Sequence, residues 1–183
     1  MRDFTFLRYK NINEMKFLKH SIALLLAVVA LNACDSVNNK SLPSYSVRIY
    51  LNDYGLWNTY GVHALGEFRI FNREKGLPSN FPYNINTYTG FGGVLLFMGQ
   101  DMQTGGGVPL AFDLACPVEH DVNVTVSIDP VNLDAVCSKC KSHYDVLIGS
   151  GGPKSGMALE RKVGLNPYRV VPTSTGGYII TNR

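Results

Sequence analysis

The chain of 183 residues contains no apolar run long enough to cross a bilayer as a helix. Its most apolar stretch, residues 22–31, falls well short of the ~20 residues that the hydrocarbon core demands. Charge is also scarce, at 17% Asp, Glu, Lys and Arg, and the small excess of +3 is unevenly placed. Residues 1–33 hold five of the 17 basic and two of the 14 acidic residues, so the rest of the chain carries twelve of each. A formally neutral domain offers no net basic face to phosphates, which excludes nucleic acid as a partner. Enzyme signatures are missing as well. There is no Gly-x-Ser-x-Gly elbow, no phosphate-cradling glycine loop before a helix and no His-Glu-x-x-His. The carboxylates are not patterned in pairs for glycoside hydrolysis. Helical periodicity is nearly absent, and neither an internal repeat nor a low-complexity tract occurs beyond short glycine clusters.

What is present begins with an export pattern. Met15-Lys16-Phe17-Leu18-Lys19-His20 is a basic n-region, the apolar run follows, and Leu31-Asn32-Ala33-Cys34 closes it. This order predicts a secretory signal over residues 1–33, with Met15 as the true start. Leu-Asn-Ala-Cys resembles the bacterial lipobox, which implies that Cys34 is acylated and that the first partner is a membrane. The expected location is the bacterial cell envelope, lipid-anchored on the periplasmic or surface side; a plain signal peptide with a chance cysteine is the bland alternative. Residues 34–44 then read as the acylated cysteine and a flexible tether rich in Asn, Ser and Lys. Residues 45–183 remain for one domain large enough to bury a core.

Short runs rich in β-branched and aromatic residues recur along that domain, at 45–51, 67–71, 93–98, 109–115, 122–128, 133–137, 157–163, 168–171 and 178–181. Several alternate, as in Val122-Asn123-Val124-Thr125-Val126-Ser127-Ile128, and Gly or Pro punctuates the joints. The spacing predicts an all-β sandwich or barrel. Residues 52–66 and 72–90, rich in Asn, Tyr, Gly and Pro, are expected as loops over the sheet, with a small helical turn as the other option.

Three of the four cysteines fall in two short loops. The first is Cys116-Pro117-Val118-Glu119-His120; the second is Cys137-Ser138-Lys139-Cys140-Lys141-Ser142-His143-Tyr144-Asp145. Cys137 and Cys140 form a Cys-x2-Cys turn, a good half-site for one ion or one cluster, and Cys116 with His120 forms a Cys-x3-His half. The expected ligand set is Cys116, His120, Cys137 and Cys140, with His143 a weaker substitute for His120 and His63 structural. One disulfide with a free thiol is the alternative for an exported protein.

These loops resemble those of the Rieske iron–sulfur family, over roughly residues 109–158. The order of strand, first loop, hairpin, second loop and Gly-Pro segment is similar to that family's. The resemblance implies an all-β, Rieske-like sandwich of antiparallel sheets with a small ligand-loop subdomain and a 2Fe-2S cluster. It also implies supporting roles near the ligands for Ser142, Tyr144, Asp145, Gly152 and Pro153. The sequence departs from the pattern at the ligands themselves. Val118 and Cys140 stand where the family has its two histidines, and Lys139 and Asp121 stand where many members have cysteines that clip the loops together. A cluster on this set would pair Cys116 with Cys137 and His120 with Cys140; zinc in a closed tetrahedral site, or no metal, is the alternative. The resemblance implies electron transfer, or an accessory role to a membrane redox complex with a redox or envelope protein partner. An oxygenase is not expected, since the roughly 150 residues after the signal leave no room for the second catalytic domain it needs. The competing expectation is a non-redox binding or structural lipoprotein whose Tyr-rich loops, 52–60 and 83–88, meet a partner or glycan.

Overall fold

The computed structural model describes residues 36–182. The expected signal segment 1–33, with its expected start at Met15, and the expected lipidation residue Cys34 lie outside the described residues. The domain is all-β and antiparallel, as expected. Its first half runs β1 (Val47–Asp53), α1 (Tyr54–Tyr60), β2 (Phe68–Phe71), β3 (Tyr88–Thr89), β4 (Val94–Gln100) and β5 (Gly107–Asp113). The second half runs β6 (Val126–Ile128), β7 (Asp134–Cys137), β8 (His143–Asp145), β9 (Pro153–Ser155), α2 (Met157–Arg161), β10 (Pro167–Pro172) and β11 (Gly176–Thr181).

Seven strands form one sheet in the order β2-β4-β5-β10-β11-β1-β3, and β6 to β9 form a second sheet in chain order. The large sheet curls until its edge strands nearly meet. Just past β2, Arg73 donates from its backbone to the Thr89 hydroxyl of β3 at 3.5 Å and from its guanidinium to the Thr87 carbonyl at 3.2 Å. Of the two expected architectures, sandwich and barrel, the large sheet takes the form of a nearly closed barrel, which leaves little free edge for stray pairing.

Residues 94–98 explain how the two sheets join. Val94, Leu96 and Met98 face the barrel interior with Ile49, Leu51, Phe71 and Ile180. Leu95 and Phe97 face outward, into a second core with Phe112, Leu114, Cys116, Cys137, Tyr144 and Val146. A strand buried on both faces reads as an unbroken apolar run, which is what Val-Leu-Leu-Phe-Met is. The small sheet thus packs on the outer wall of the barrel, and the thiols lie in that seam.

Local chemistry accounts for the places where the chain departs from the sequence expectation. Within residues 157–163, read as a strand, Met157–Arg161 form α2 instead: Met-Ala-Leu-Glu-Arg are good helix formers, and Lys162 ends the turn in a left-handed conformation. Residues 122–125 leave the expected strand because Asp121 folds them into a turn, accepting Asn123 N–H on its side chain and Val124 N–H on its carbonyl. α1 falls where a helical turn was one option, with Asp53 capping Leu56 N–H at 2.8 Å. Gly61 ends it where a Cβ would stand 2.4 Å from the Trp57 carbonyl. His63 lies edge-on to Trp57, while Tyr60 and Tyr83 pack on Phe81, leaving Tyr54 and Tyr88 as the exposed rings of the Tyr-rich loops. The expected tether is docked in part. Asn38 pairs with the backbone of Lys162 and Gly164, Asn39 donates to the Ser150 carbonyl, and Leu42 is buried.

Leu95→Ala and Leu96→Ala remove side chains from opposite faces of one strand, so each is expected to cost about 2–5 kcal/mol. Urea denaturation checks this: a loss below about 1 kcal/mol from either would show that its face of β4 is not a packed core.

Candidate metal centre

Two turns present the sulfurs. The first leaves β5 through Asp113, a buried carboxylate that accepts from the backbone N–H groups of Phe91, Gly92 and Ala115 and from the Tyr168 hydroxyl. Cys116 follows three residues later. Its N–H donates to the Val124 carbonyl at 2.8 Å, and its own carbonyl accepts from Glu119 and His120 N–H at 3.2 and 3.1 Å. His120 closes this turn at φ 53, in the left-handed region. The second turn begins at the end of β7. Lys141 N–H donates to the Cys137 carbonyl at 2.9 Å, Cys137 N–H donates to the Ser142 carbonyl at 3.0 Å, and Lys141 has φ 57. A closed Cys-x2-Cys turn of this kind aims both sulfurs to one side.

The result is a convergent triad. The sulfurs of Cys116, Cys137 and Cys140 all lie within 4.8 Å of one another. Cys116 Sγ and Cys140 Sγ are 3.5 Å apart, and none of the three is in a disulfide. Cys116 and Cys137 are fully buried and Cys140 is 8% exposed. Three buried cysteines so close together could hold a metal ion.

Their surroundings are polar only where it matters. Ser142 Oγ stands 3.1 Å from Cys140 Sγ and accepts Ala158 N–H at 2.9 Å. The hydroxyl of Tyr144, which is fully buried, stands 3.5 Å from Cys116 Sγ. Burial pushes the Cys116 thiol up to about 12, and its Tyr144 contact offsets this only in part. Burial opposes ionisation of Cys140 too. There the Ser142 hydroxyl and N–H, with the neighbouring thiols, outweigh it and hold Cys140 below the ordinary thiol range. Burial and the Cys116 sulfur both push the Tyr144 phenol far up, so it remains a hydrogen-bond donor.

His120, expected as the fourth ligand, is exposed and does not join the sulfurs. Its place in the left-handed turn puts its N–H on Cys116, and sequence spacing carries no sign of which way the ring then leaves. His143 alternates with the inward Tyr144 on β8 and lies on the other face, its Nδ1 3.6 Å from Asp134, which also takes Lys154 Nζ at 2.6 Å. Gly152 and Pro153 brace the strand that carries Tyr144: Asp145 N–H donates to the Gly152 carbonyl, and Pro153 pairs with Tyr144. The backbone at Gly156 runs close against the second loop, where a Cβ would lie 2.6 Å from the Lys141 carbonyl. Gly156 and Ala158 were missed in the sequence, because reading residues 157–163 as a strand hid the helix start that delivers Ala158 N–H to Ser142. Across the two loops, Lys139 Nζ pairs with Glu119 at 2.6 Å, and Arg161 donates to the Val118 carbonyl at 3.4 Å. An ion pair from Lys139 therefore spans the loops where the resemblance would place a cysteine clip.

The donor set does not fit the cluster that the resemblance implies. Three thiols and no imidazole converge, and among the described residues no fourth Cys, His, Asp or Glu joins them. Comparison with protein-family models, with curated proteins and with solved structures finds no match to this chain.

In the metal-free chain at pH 8, iodoacetamide is expected to label Cys140 before Cys116, since only thiolates react. Ser142→Ala removes the hydroxyl that favours the Cys140 thiolate, raises its pKa and slows that labelling. Peptide mass spectrometry reads the order; Cys116 reacting first would contradict the assignment of these hydrogen bonds.

Proposed function

We propose that this chain is a membrane-anchored, Rieske-like metal-binding protein of the bacterial cell envelope, and that Cys116, Cys137 and Cys140 together bind one metal ion. The observation that carries this reading is the spacing of the three sulfurs, all within 4.8 Å. Bonds of about 2.3 Å to a single tetrahedral ion set sulfurs about 3.8 Å apart. Ligands divided between two irons stand further apart than ligands of one. The anchor is Cys34, on the strength of Leu31-Asn32-Ala33-Cys34 alone, and the site then serves a redox or envelope protein partner at the membrane.

A second reading is a one-electron carrier with a two-iron, two-sulfur cluster. In its favour are the Ser142 and Tyr144 hydroxyls, which stand against Cys140 and Cys116 as the resemblance implies for groups that tune a cluster. Against it stand the missing imidazoles. A non-redox module using the exposed Tyr54 and Tyr88 is the reading left if no metal binds.

Purifying the full chain without oxygen and measuring metal, sulfide and visible absorption separates the three. One metal ion per chain without sulfide is the expected result, and Cys140→Ala should lose it. A brown protein with iron and sulfide in near-equal amounts would support the carrier instead. A chain that binds no metal under any of these conditions would sink both.

A further inference from the structure

We propose that the triad is a three-coordinate site that takes cuprous copper in preference to zinc. This rests on the metal-binding reading above and names the ion for it. Donor count and water exclusion select that ion. Among the described residues the three sulfurs form the whole group. Four polar side chains beside the triad are engaged or turned away. Glu119 holds Lys139, Ser142 takes Ala158 N–H and the Cys140 sulfur, Tyr144 lies on Cys116, and His120 is exposed.

Zinc ordinarily takes four donors, and where a protein supplies three, water completes the set. Water is poorly served here. Cys116 and Cys137 are fully buried, and Val118, Val126 and Ala158 belong to the same apolar core. Cuprous copper is a soft, closed-shell ion that thiolates select, and three sulfurs satisfy it without a fourth ligand. It leaves the site with more negative charge than zinc would. The Ser142 and Tyr144 hydroxyls beside two of the sulfurs supply compensating dipoles, and the Arg161 guanidinium on the Val118 carbonyl brings a positive charge to the rim. Cys140, the one sulfur with any exposure, marks the side from which an ion enters.

The test uses the full chain, loaded with zinc and titrated anaerobically with copper(I) against a chromogenic copper(I) chelator. The expected result is release of zinc at one copper per chain, with X-ray absorption at the copper edge showing three sulfur neighbours. Ser142→Ala, which keeps all three thiols, should weaken copper binding by about 10–100-fold. A Cys34→Ser chain should bind copper as tightly as the unaltered one. Weaker binding by that variant, or a fourth ligand in the absorption spectrum, overturns three-coordination. Zinc that stays bound against equimolar copper(I) overturns the preference while leaving metal binding intact. Failure to bind either ion would instead remove the metal-binding reading itself.

Discussion

The double burial of residues 94–98 is the constraint on which the rest of this structure depends. A strand with one wet face could serve a barrel alone. Here Leu95 and Phe97 on the outer wall need cover, and the small sheet of β6 to β9 supplies it. Burying two such side chains is worth roughly 1.5–3 kcal/mol each, enough to hold a sheet whose strands are too short to persist alone. The thiols are part of that cover: Cys116, Cys137 and Cys140 belong to the same core as Leu95 and Phe97. The site is therefore built into the fold's second core and is not attached to its surface.

That location sets the chemistry. Thiols in an apolar seam resist ionising, as Cys116 does, unless a donor is delivered to the sulfur. The Cys140 thiol donates to Ser142 Oγ, a hydroxyl free to turn its proton to the sulfur once Cys140 ionises, and Ser142 is itself held by Ala158 N–H at the start of α2. The chain thus gives its three sulfurs unequal environments, one set for ionisation and one against it. A metal ion entering such a site must displace protons from the reluctant thiol, which couples binding to pH.

Much of this was legible in the sequence, and the parts that were not have physical reasons. The all-β class followed from β-branched runs and glycine punctuation, and the convergence of the thiols from a Cys-x2-Cys turn and a loop ahead of it. The near closure of the barrel was not legible, since it depends on Arg73 reaching from one edge to the loop and strand at the other. β8 and β9, three residues each, are too short to show alternation. The direction of His120 was hidden because a left-handed residue turns its side chain away from where spacing alone would put it. The docking of Asn38 and Leu42 was hidden because polar composition says nothing of a backbone bridge to Lys162 and Gly164.

Joining the two cysteine-bearing turns by Lys139 and Glu119 has a consequence for the conditions under which they stay together. A covalent sulfur clip would open in a reducing medium and would draw oxidation toward the neighbouring thiols. An ion pair ignores the redox state of its surroundings and answers to salt instead. The join between the two turns is thereby uncoupled from the thiol–disulfide poise of the compartment, and its strength follows ionic strength instead.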